Sequence, residues 1–426
     1  MLIINEDHDK TEGLIQGSLF KNIFYLVVNG GSSALLGFVF ILIASRYISQ
    51  AELGAGSTLI SLVSLVGFAS GLGLNLGIIH FLPKAINRNK LINTCLIILT
   101  ISSVIGGCIA LLLLQSINIG DYVPTLGVMT IASLLFFAVS YNLGAFVNSL
   151  YISNKESRFV FYKDSILFSA IRLLLLAILI YLGFKSAWSI YLSWGVALGL
   201  SAIFGILIFL PFVERSYHAS ASISAKELPA LARFSFGNYI GGILCNAPAL
   251  IFPILITQSL GSQQTAWFVI PWTVVSMLLM AVNALSTALF AEGASEPEKF
   301  KYRLWQAARV GFIFVIPVVV IMLILSKQIL WLFGQTYADD SLMIFRLLLL
   351  SVPPMVVISL YTTSEQVIGR VKGLLVIFTM SGGIPLAISA FTVGSYGIEI
   401  IPLSWLLSQV VCAVAAGLIL LRKYHN

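Results

Sequence analysis

Twelve apolar runs, each long enough to cross a lipid bilayer as a helix, constrain this chain more than any other feature. They lie at 22–48, 53–82, 91–115, 122–150, 160–183, 187–213, 234–260, 264–291, 310–334, 339–368, 371–395 and 398–421. About twenty residues at about 1.5 Å each span a hydrocarbon core of about 30 Å. In lipid every backbone N–H and C=O must find its partner within the protein, which requires helices. The expected fold is an all-α integral membrane protein with twelve transmembrane helices. Only 10% of the 426 residues are charged, against about 25% in soluble domains. A soluble fold could not hide so much apolar surface.

The cations set the orientation. Alternate connections hold Lys84, Arg88 and Lys90, then Lys155, Arg158 and Lys163, then Arg215, Lys226 and Arg233. The series continues with Lys299, Lys301, Arg303 and Arg309, then Arg370 and Lys372, then Arg422 and Lys423, and the first tail holds Lys10 and Lys21. The opposite side receives only Arg46, Lys185 and Lys327. By the positive-inside rule the rich side is cytoplasmic, so both termini are expected there, as an even helix count requires. The net charge of +7 is thus a topology signal and does not point to nucleic acid. The first twenty residues lack the basic start and apolar middle of a signal peptide, so the first helix is expected to stay on the protein.

The chain reads as two copies of a six-helix unit. "ILIASRYISQ" ends at Gln50 and "ILITQSLGSQ" ends at Gln263, and each leads into a further apolar run. A second, weaker match pairs "VNSLYISNKESR" with "TSEQVIGRVKG". Six is even, so the two units share one orientation, and parallel repeats of this kind form two lobes around a cavity. The expected division is a cytoplasmic tail 1–21, a first lobe 22–213, a cytoplasmic connection 214–233, a second lobe 234–421 and a tail 422–426. Most of the thirteen prolines follow residue 213. Pro248, Pro253, Pro271, Pro317 and the pair Pro353–Pro354 fall within or near second-lobe runs, where proline kinks a helix. Gly67, Gly71, Gly73 and Gly77 form small-xxx-small patterns that favour close packing in the second run.

No connection is long enough for a soluble catalytic domain, and no Gly-x-x-x-x-Gly-Lys-Ser/Thr or His-Glu-x-x-His motif occurs. The four cysteines, Cys95, Cys108, Cys245 and Cys412, lie in apolar runs without metal or disulfide spacing. The chain is expected to be no enzyme and to need no cofactor or metal. Asp339–Asp340 reads as a solvated cap in an external turn.

The informative residues are the polar ones inside the runs. Arg172 sits near the middle of the fifth, where a charge costs about 2.5–3.5 kcal/mol on insertion scales. At 100° per residue, Asp164, Ser165, Phe168, Ser169 and Arg172 fall within an arc of about 140°. That stripe should face the protein interior or a water-filled cavity. There Arg172 either pairs with a buried acid or meets an anionic group of a substrate, which its forked donors suit. Arg346, about a third of the way down the tenth helix from outside, and Arg46, at the outer end of the first, are further substrate-binding candidates, with Ser169 and Asn29. Asp164 and Glu365 are candidates for ion coupling. Asn75, His80, Asn246 and Asn283 are other polar groups within runs.

"LFKNIFYLVVNGGSSALLGFVFILIASRYISQAELG", "GLGLNLGIIHFLPK" and "ILWLFGQTYADDSLMIFRLLLLSVPP" resemble bacterial polysaccharide-biosynthesis flippases. The resemblance covers essentially the whole chain. It is to the oligosaccharide-lipid branch of the multidrug/oligosaccharidyl-lipid/polysaccharide exporter superfamily, similar to O-antigen flippases. It implies V-shaped alternating access in a two-lobe bundle of the plasma membrane. The implied substrate is a polyprenyl-pyrophosphate-linked oligosaccharide moved from the cytoplasmic to the outer leaflet. The implied partners are membrane lipids and glycan-assembly enzymes, and the working unit a monomer. The alternative is a multidrug exporter of the same superfamily. Such a protein handles organic cations and would want a buried carboxylate, yet 22–48 and 234–260 contain no Asp or Glu. The expected mechanism is rocking of the lobes about 214–233, driven by an ion gradient or by removal of product outside.

Overall fold

The computed structural model describes residues 3–116, 127–215, 217–221, 228–295 and 297–424, and no strand occurs among them. Residues 1–2, 117–126, 216, 222–227, 296 and 425–426 lie outside the described set. Parts of the expected tails, of the fourth run and of the 214–233 connection, with Lys226, fall there. Among the described residues, twelve helices are long and apolar enough to cross a membrane. They are α1 (Lys21–Tyr47), α2 (Gln50–Ser70), α3 (Arg88–Leu112), α4 (Val128–Ser153), α5 (Arg158–Tyr181) and α6 (Ala187–Val213), then α7 (Tyr239–Leu260), α8 (Ser262–Phe290), α9 (Phe300–Ile324), α10 (Leu342–Ile368), α11 (Lys372–Tyr396) and α12 (Ile400–Tyr424). Large apolar side chains such as Leu112, Leu174 and Phe391 stand exposed on the outside of the bundle, as a surface bathed in lipid requires.

Two of the runs depart most from the sequence expectation. The run 53–82 is not one helix: α2 stops at Ser70, Leu72 and Gly73 take positive φ of 51° and 69°, and a separate helix Leu74–Phe81 follows. A Cβ on Gly73 would lie 2.5 Å from the carbonyl oxygen of Ser235. This glycine therefore serves a left-handed turn and a close backbone approach, and not only helix packing. The run 310–334 is shifted. α9 begins at Phe300, because Lys301, Arg303 and Arg309 continue a good helix-forming segment with their heads turned out. It ends at Ile324, and the short helices Ser326–Trp331 and Gln335–Asp340 cap the bundle end. α10 breaks after Leu350 and resumes at Val352, as Pro353–Pro354 predicted. Pro248, Pro253, Pro271 and Pro317 lie inside helices.

The halves meet through equivalent elements of the repeat. α1 packs on α8, α7 packs on α2, and α2 lies directly against α8. A Cβ on Gly54 of α2 would overlap the Ser262 carbonyl oxygen at the start of α8. Gln263 Nε2 donates to Gln50 Oε1 at 3.0 Å. These two glutamines are repeat equivalents, and a residue that meets its own counterpart must lie near the axis relating the halves. Nearby, the buried hydroxyls of Thr58 and Thr257 lie 2.5 Å apart, and those of Thr257 and Thr265 2.6 Å apart. Interhelical hydrogen bonds of this kind join helices where lipid offers no hydrophobic drive.

Candidate functional site: a polar seam and two adjoining cavities

The polar stripe of the fifth run is real, and its helix is unusual. Phe161–Phe168 forms a π-helical turn at the start of α5, a wider coil often found at functional positions. Lys163 is only 2% exposed, where the sequence put it in a connection. Its Nζ lies 2.5 Å from Asp164 Oδ1, and Asn148 Nδ2 of α4 donates to Asp164 Oδ2 at 2.6 Å. The lysine stem fits because Gly205 of α6 leaves room: a Cβ there would sit 2.9 Å from Lys163 Cδ. The Ser165 hydroxyl lies 2.9 Å from Asn29 Oδ1 and 3.1 Å from Ser33 Oγ, both on α1. Ser169 Oγ donates to the Asp164 carbonyl oxygen at 3.1 Å.

Arg172 lies one turn further on and is 8% exposed. Its guanidinium carbon is 4.8 Å from the Phe168 ring centroid and 5.2 Å from that of Phe40. Its Nη2 lies 3.5 Å from the place a Cβ would take on Gly37 of α1. Arg172 Nε is buried without a hydrogen-bond partner, and no carboxylate pairs with the side chain among the described residues. The buried-acid alternative for Arg172 therefore has no support. Asp164 is the acid of this region, and Lys163 holds it. The structure thus gathers Asn29, Asp164, Ser169 and Arg172 along the α1–α5 interface.

The other three candidates sit elsewhere. Arg46 is exposed at the lysine-poor end. Its Nε donates to the Leu332 carbonyl oxygen at 2.6 Å and its Nη2 to that of Trp331 at 2.9 Å. Those carbonyls end the short helix Ser326–Trp331, where a cation is favoured. Gln50 Nε2 donates to Thr336 Oγ1 at 2.7 Å, and Trp267 Nε1 donates to Gln50 Oε1 at 3.1 Å. Arg46 and Gln50 therefore tie the first half to the second at that end. Arg346 is not a third of the way into the bundle. The segment 325–341 is spent on capping helices, so α10 starts at Leu342, and Arg346 sits one turn in with its Nε 3.2 Å from Ser326 Oγ. Glu365 is buried near the opposite end of α10, and Lys423 Nζ of α12 lies 2.9 Å from its Oε1.

Two cavities of about 500 Å³ each lie in the lysine-rich half of the bundle. One separates α1 from α8, between Val27, Gly30 and Gly31 on one side and Met277, Met280 and Ala284 on the other. The other lies within the second half, among α8, α10, α11 and α12. Asn283 and Thr287 line both, so the two spaces adjoin. The second cavity is walled by Ser286, Ser359, Thr362, Thr363, Gln366, Ser381 and Gln409 together with Phe290, Phe378 and Trp405, and by no Asp, Glu, Lys or Arg. Sequence reasoning flagged only Asn283 of this group. The signal was present: Asn283, Ser286, Thr287 and Phe290 repeat the i, i+3, i+4, i+7 spacing of Ser359, Thr362, Thr363 and Gln366.

The whole bundle superposes on solved transporters. A structure described as the inward-facing conformation of a multidrug resistance MATE family transporter of the MOP superfamily is 14% identical, with a TM-score of 0.67 over 95% of this chain and 94% of that one. The fold is the MATE transporter fold. An outward-facing structure of a MATE family transporter is likewise 14% identical, with a TM-score of 0.63 over 95% of this chain and 96% of that one. A MOP superfamily transporter from Pyrococcus furiosus, described as having a binding pocket of reverse polarity, is 15% identical, with a TM-score of 0.62 over 95% and 96%. The family model MatE matches residues 249–390, the stretch from α7 into α11 that carries most of the wall of the uncharged cavity. A search of curated protein sequences gives no match. With its twelve apolar helices in the MATE fold, the chain is a multi-pass membrane protein. The resemblance to polysaccharide flippases is supported at the level of the superfamily fold, and these matches do not reach the oligosaccharide-lipid branch.

Proposed function

We propose that the chain is a solute transporter that works by alternating access, its first lobe (22–213) moving against its second (234–421). One observation carries this reading: the halves are tied at the lysine-poor end by Arg46 and Gln50, while the cavities lie in the lysine-rich half. With the lysine-rich end cytoplasmic, both termini face the cytoplasm and this is the state that loads from inside. Asn93 Nδ2 donates to the His218 carbonyl oxygen and to Ser220 Oγ at 3.0 and 3.2 Å, which fixes the start of the 214–233 connection to α3.

The cargo is an amphipathic organic solute exported across the plasma membrane. The likeness to multidrug transporters supports this, and the apolar wall between α1 and α8 suits such a molecule. Asp164, half-buried, and Glu365, buried, couple transport to an ion gradient, each being an acid that holds a lysine partner within the bundle. A second reading, flipping of a polyprenyl-pyrophosphate-linked oligosaccharide, is favoured by the charges. No carboxylate lines either cavity, and Arg172 is a buried cation that pairs with no acid among the described residues. Inverted vesicles containing the protein separate the two. Gradient-driven uptake of ethidium, lost in Asp164→Asn, supports the exporter. Absent uptake, together with oligosaccharide units accumulating on polyprenyl pyrophosphate in deletion cells by mass spectrometry, selects the flippase. A protein that gives neither ethidium uptake nor accumulated oligosaccharide units overturns the transport reading.

A further inference from the structure

We propose that the outer face of α9, at the lysine-rich end, binds one anionic phospholipid of the surrounding bilayer. Its phosphate sits on Arg309 and one acyl chain lies in the groove between α8 and α9. This is a resident lipid and not the cargo, so the inference goes beyond the transport reading.

Depth and charge set the level of the site. α9 carries Lys301, Arg303 and Arg309 and no acid. The acids of the preceding stretch, Glu292, Glu296 and Glu298, all come before Phe300, and Glu292 Oε2 already lies 3.4 Å from Arg303 Nε. Lys327, exposed and 3.1 Å from Asp339 Oδ1, marks the opposite water boundary. At about 1.5 Å per residue, the chain rises about 27 Å from Arg309 to Lys327, close to a hydrocarbon core of about 30 Å. Arg309 therefore stands where hydrocarbon gives way to headgroups. The Cα–Cβ bond of a helical residue tilts toward the helix N-terminus, which in α9 is the lysine-rich end. The long side chain thus reaches into the phosphate layer.

Nothing in the protein claims that side chain. Arg309 is exposed and makes no hydrogen bond or ion pair among the described residues. At 100° per residue, Tyr302, Trp305 and Gln306 share an arc of about 100° with it. All three are exposed, and none of their side chains makes a hydrogen bond among the described residues. A guanidinium offers paired donors to a phosphodiester. The phenol, indole N–H and amide beside it supply donors for the remaining oxygens, and Tyr and Trp favour the membrane interface. A zwitterionic headgroup would bring a further cation up to Lys301 and Arg309, and an anionic one brings none.

The groove begins at the next residue. Val310, Gly311 and Phe314 of α9 face Ala281, Val282 and Leu285 of α8 across a space of about 230 Å³ with only apolar side chains on its wall. Val310 and Phe314 are 52% and 51% exposed, so this space is open to the lipid side. Gly311 leaves it unfilled, since a Cβ there would lie 2.9 Å from Leu285 Cδ2. A cationic head-binding surface directly above an apolar recess fits a molecule with one anionic head and a hydrocarbon chain. Burial of that chain adds to the attraction of the cations for the head.

Native mass spectrometry of the full chain, released from a neutral detergent, tests this. Dioleoyl phosphatidylglycerol and dioleoyl phosphatidylcholine are titrated separately as probes. The expected result is one phosphatidylglycerol retained in preference to phosphatidylcholine. Arg309→Gln should weaken its retention about fivefold, and Lys301→Gln with Arg309→Gln about twenty-five-fold. Arg309→Lys should keep most of it. Val310→Trp, which fills the recess from its open wall, should weaken it with the cations intact. Lys372→Gln removes an exposed cation of the same end on α11 and should change nothing. Equal retention of the two lipids, retention that survives Arg309→Gln or Val310→Trp, or an equal loss in Lys372→Gln overturns the proposal.

Discussion

At the residue scale, the two buried cations of α5 contrast. Lys163 has its acid beside it and a second helix bonded to that acid, so the pair closes on itself. Arg172 has only two phenyl faces, and a cation over a ring is worth about 2 kcal/mol when desolvated. That is less than the several kcal/mol that burying an ion costs, so Arg172 is a net liability to the fold. Replacing a buried charge with an apolar side chain of similar size is often neutral or stabilising. Arg172→Met should therefore keep or raise the unfolding temperature in detergent while lowering transport at least tenfold, with Arg172→Lys between the two. A Met variant that loses stability would make Arg172 a structural residue, and a stable, fully active one would take it off the transport path.

At the element scale, the close pair is α2 and α8. Gly54 lies against backbone, so no rotamer change can relieve an added Cβ, and the two helices would have to separate. Gly54→Ala should abolish a monodisperse size-exclusion peak in mild detergent, while Gly31→Ala, with nothing within 4 Å of the added atom, should leave it intact. A monodisperse Gly54→Ala protein would contradict the packing. The same scale explains what the sequence could and could not reveal. The twelve spans, the break in α10 and the repeat were legible, because lipid forces backbone pairing into continuous apolar runs and proline marks its own kinks. The break at Leu72–Gly73 was not, since glycines that relax a turn and glycines that admit a neighbour look alike in one sequence. Lys163 was misplaced because its burial depends on Gly205, forty residues away on another helix. The Arg172 stripe stood out by its charge. The equally periodic stripes of α8 and α10 did not, being built mainly from Ser and Thr, which barely alter hydropathy, with one Asn and one Gln that carry no charge.

At the scale of the whole molecule, the chain must choose which end to close. The lysine-poor end is held by few bonds: two from Arg46 to the carbonyls of Trp331 and Leu332, and those of Gln50 to Thr336, Gln263 and Trp267. Net contributions of about 0.5–1.5 kcal/mol per hydrogen bond make this a tie that thermal motion and a bound solute can break. The opposite end keeps one closed flank, where Tyr239 donates its hydroxyl to the Ala69 carbonyl oxygen, and one open flank between α1 and α8. Removing the tie should therefore shift the molecule toward opening at the lysine-poor end without disturbing either cavity. Cys245 is a native reporter, because its thiol lines the second-half cavity. With Cys108→Ala as background, a membrane-impermeant maleimide should label Cys245 from the lysine-rich face of the membrane. In Arg46→Ala/Gln50→Ala that labelling should fall and labelling from the other face should rise, with a change in their ratio of about tenfold for each 1.4 kcal/mol removed. An unchanged ratio would mean that the contacts of Arg46 and Gln50 do not hold the gate, and that closure resides in the buried Thr58–Thr257–Thr265 hydroxyls and the Gly54 contact.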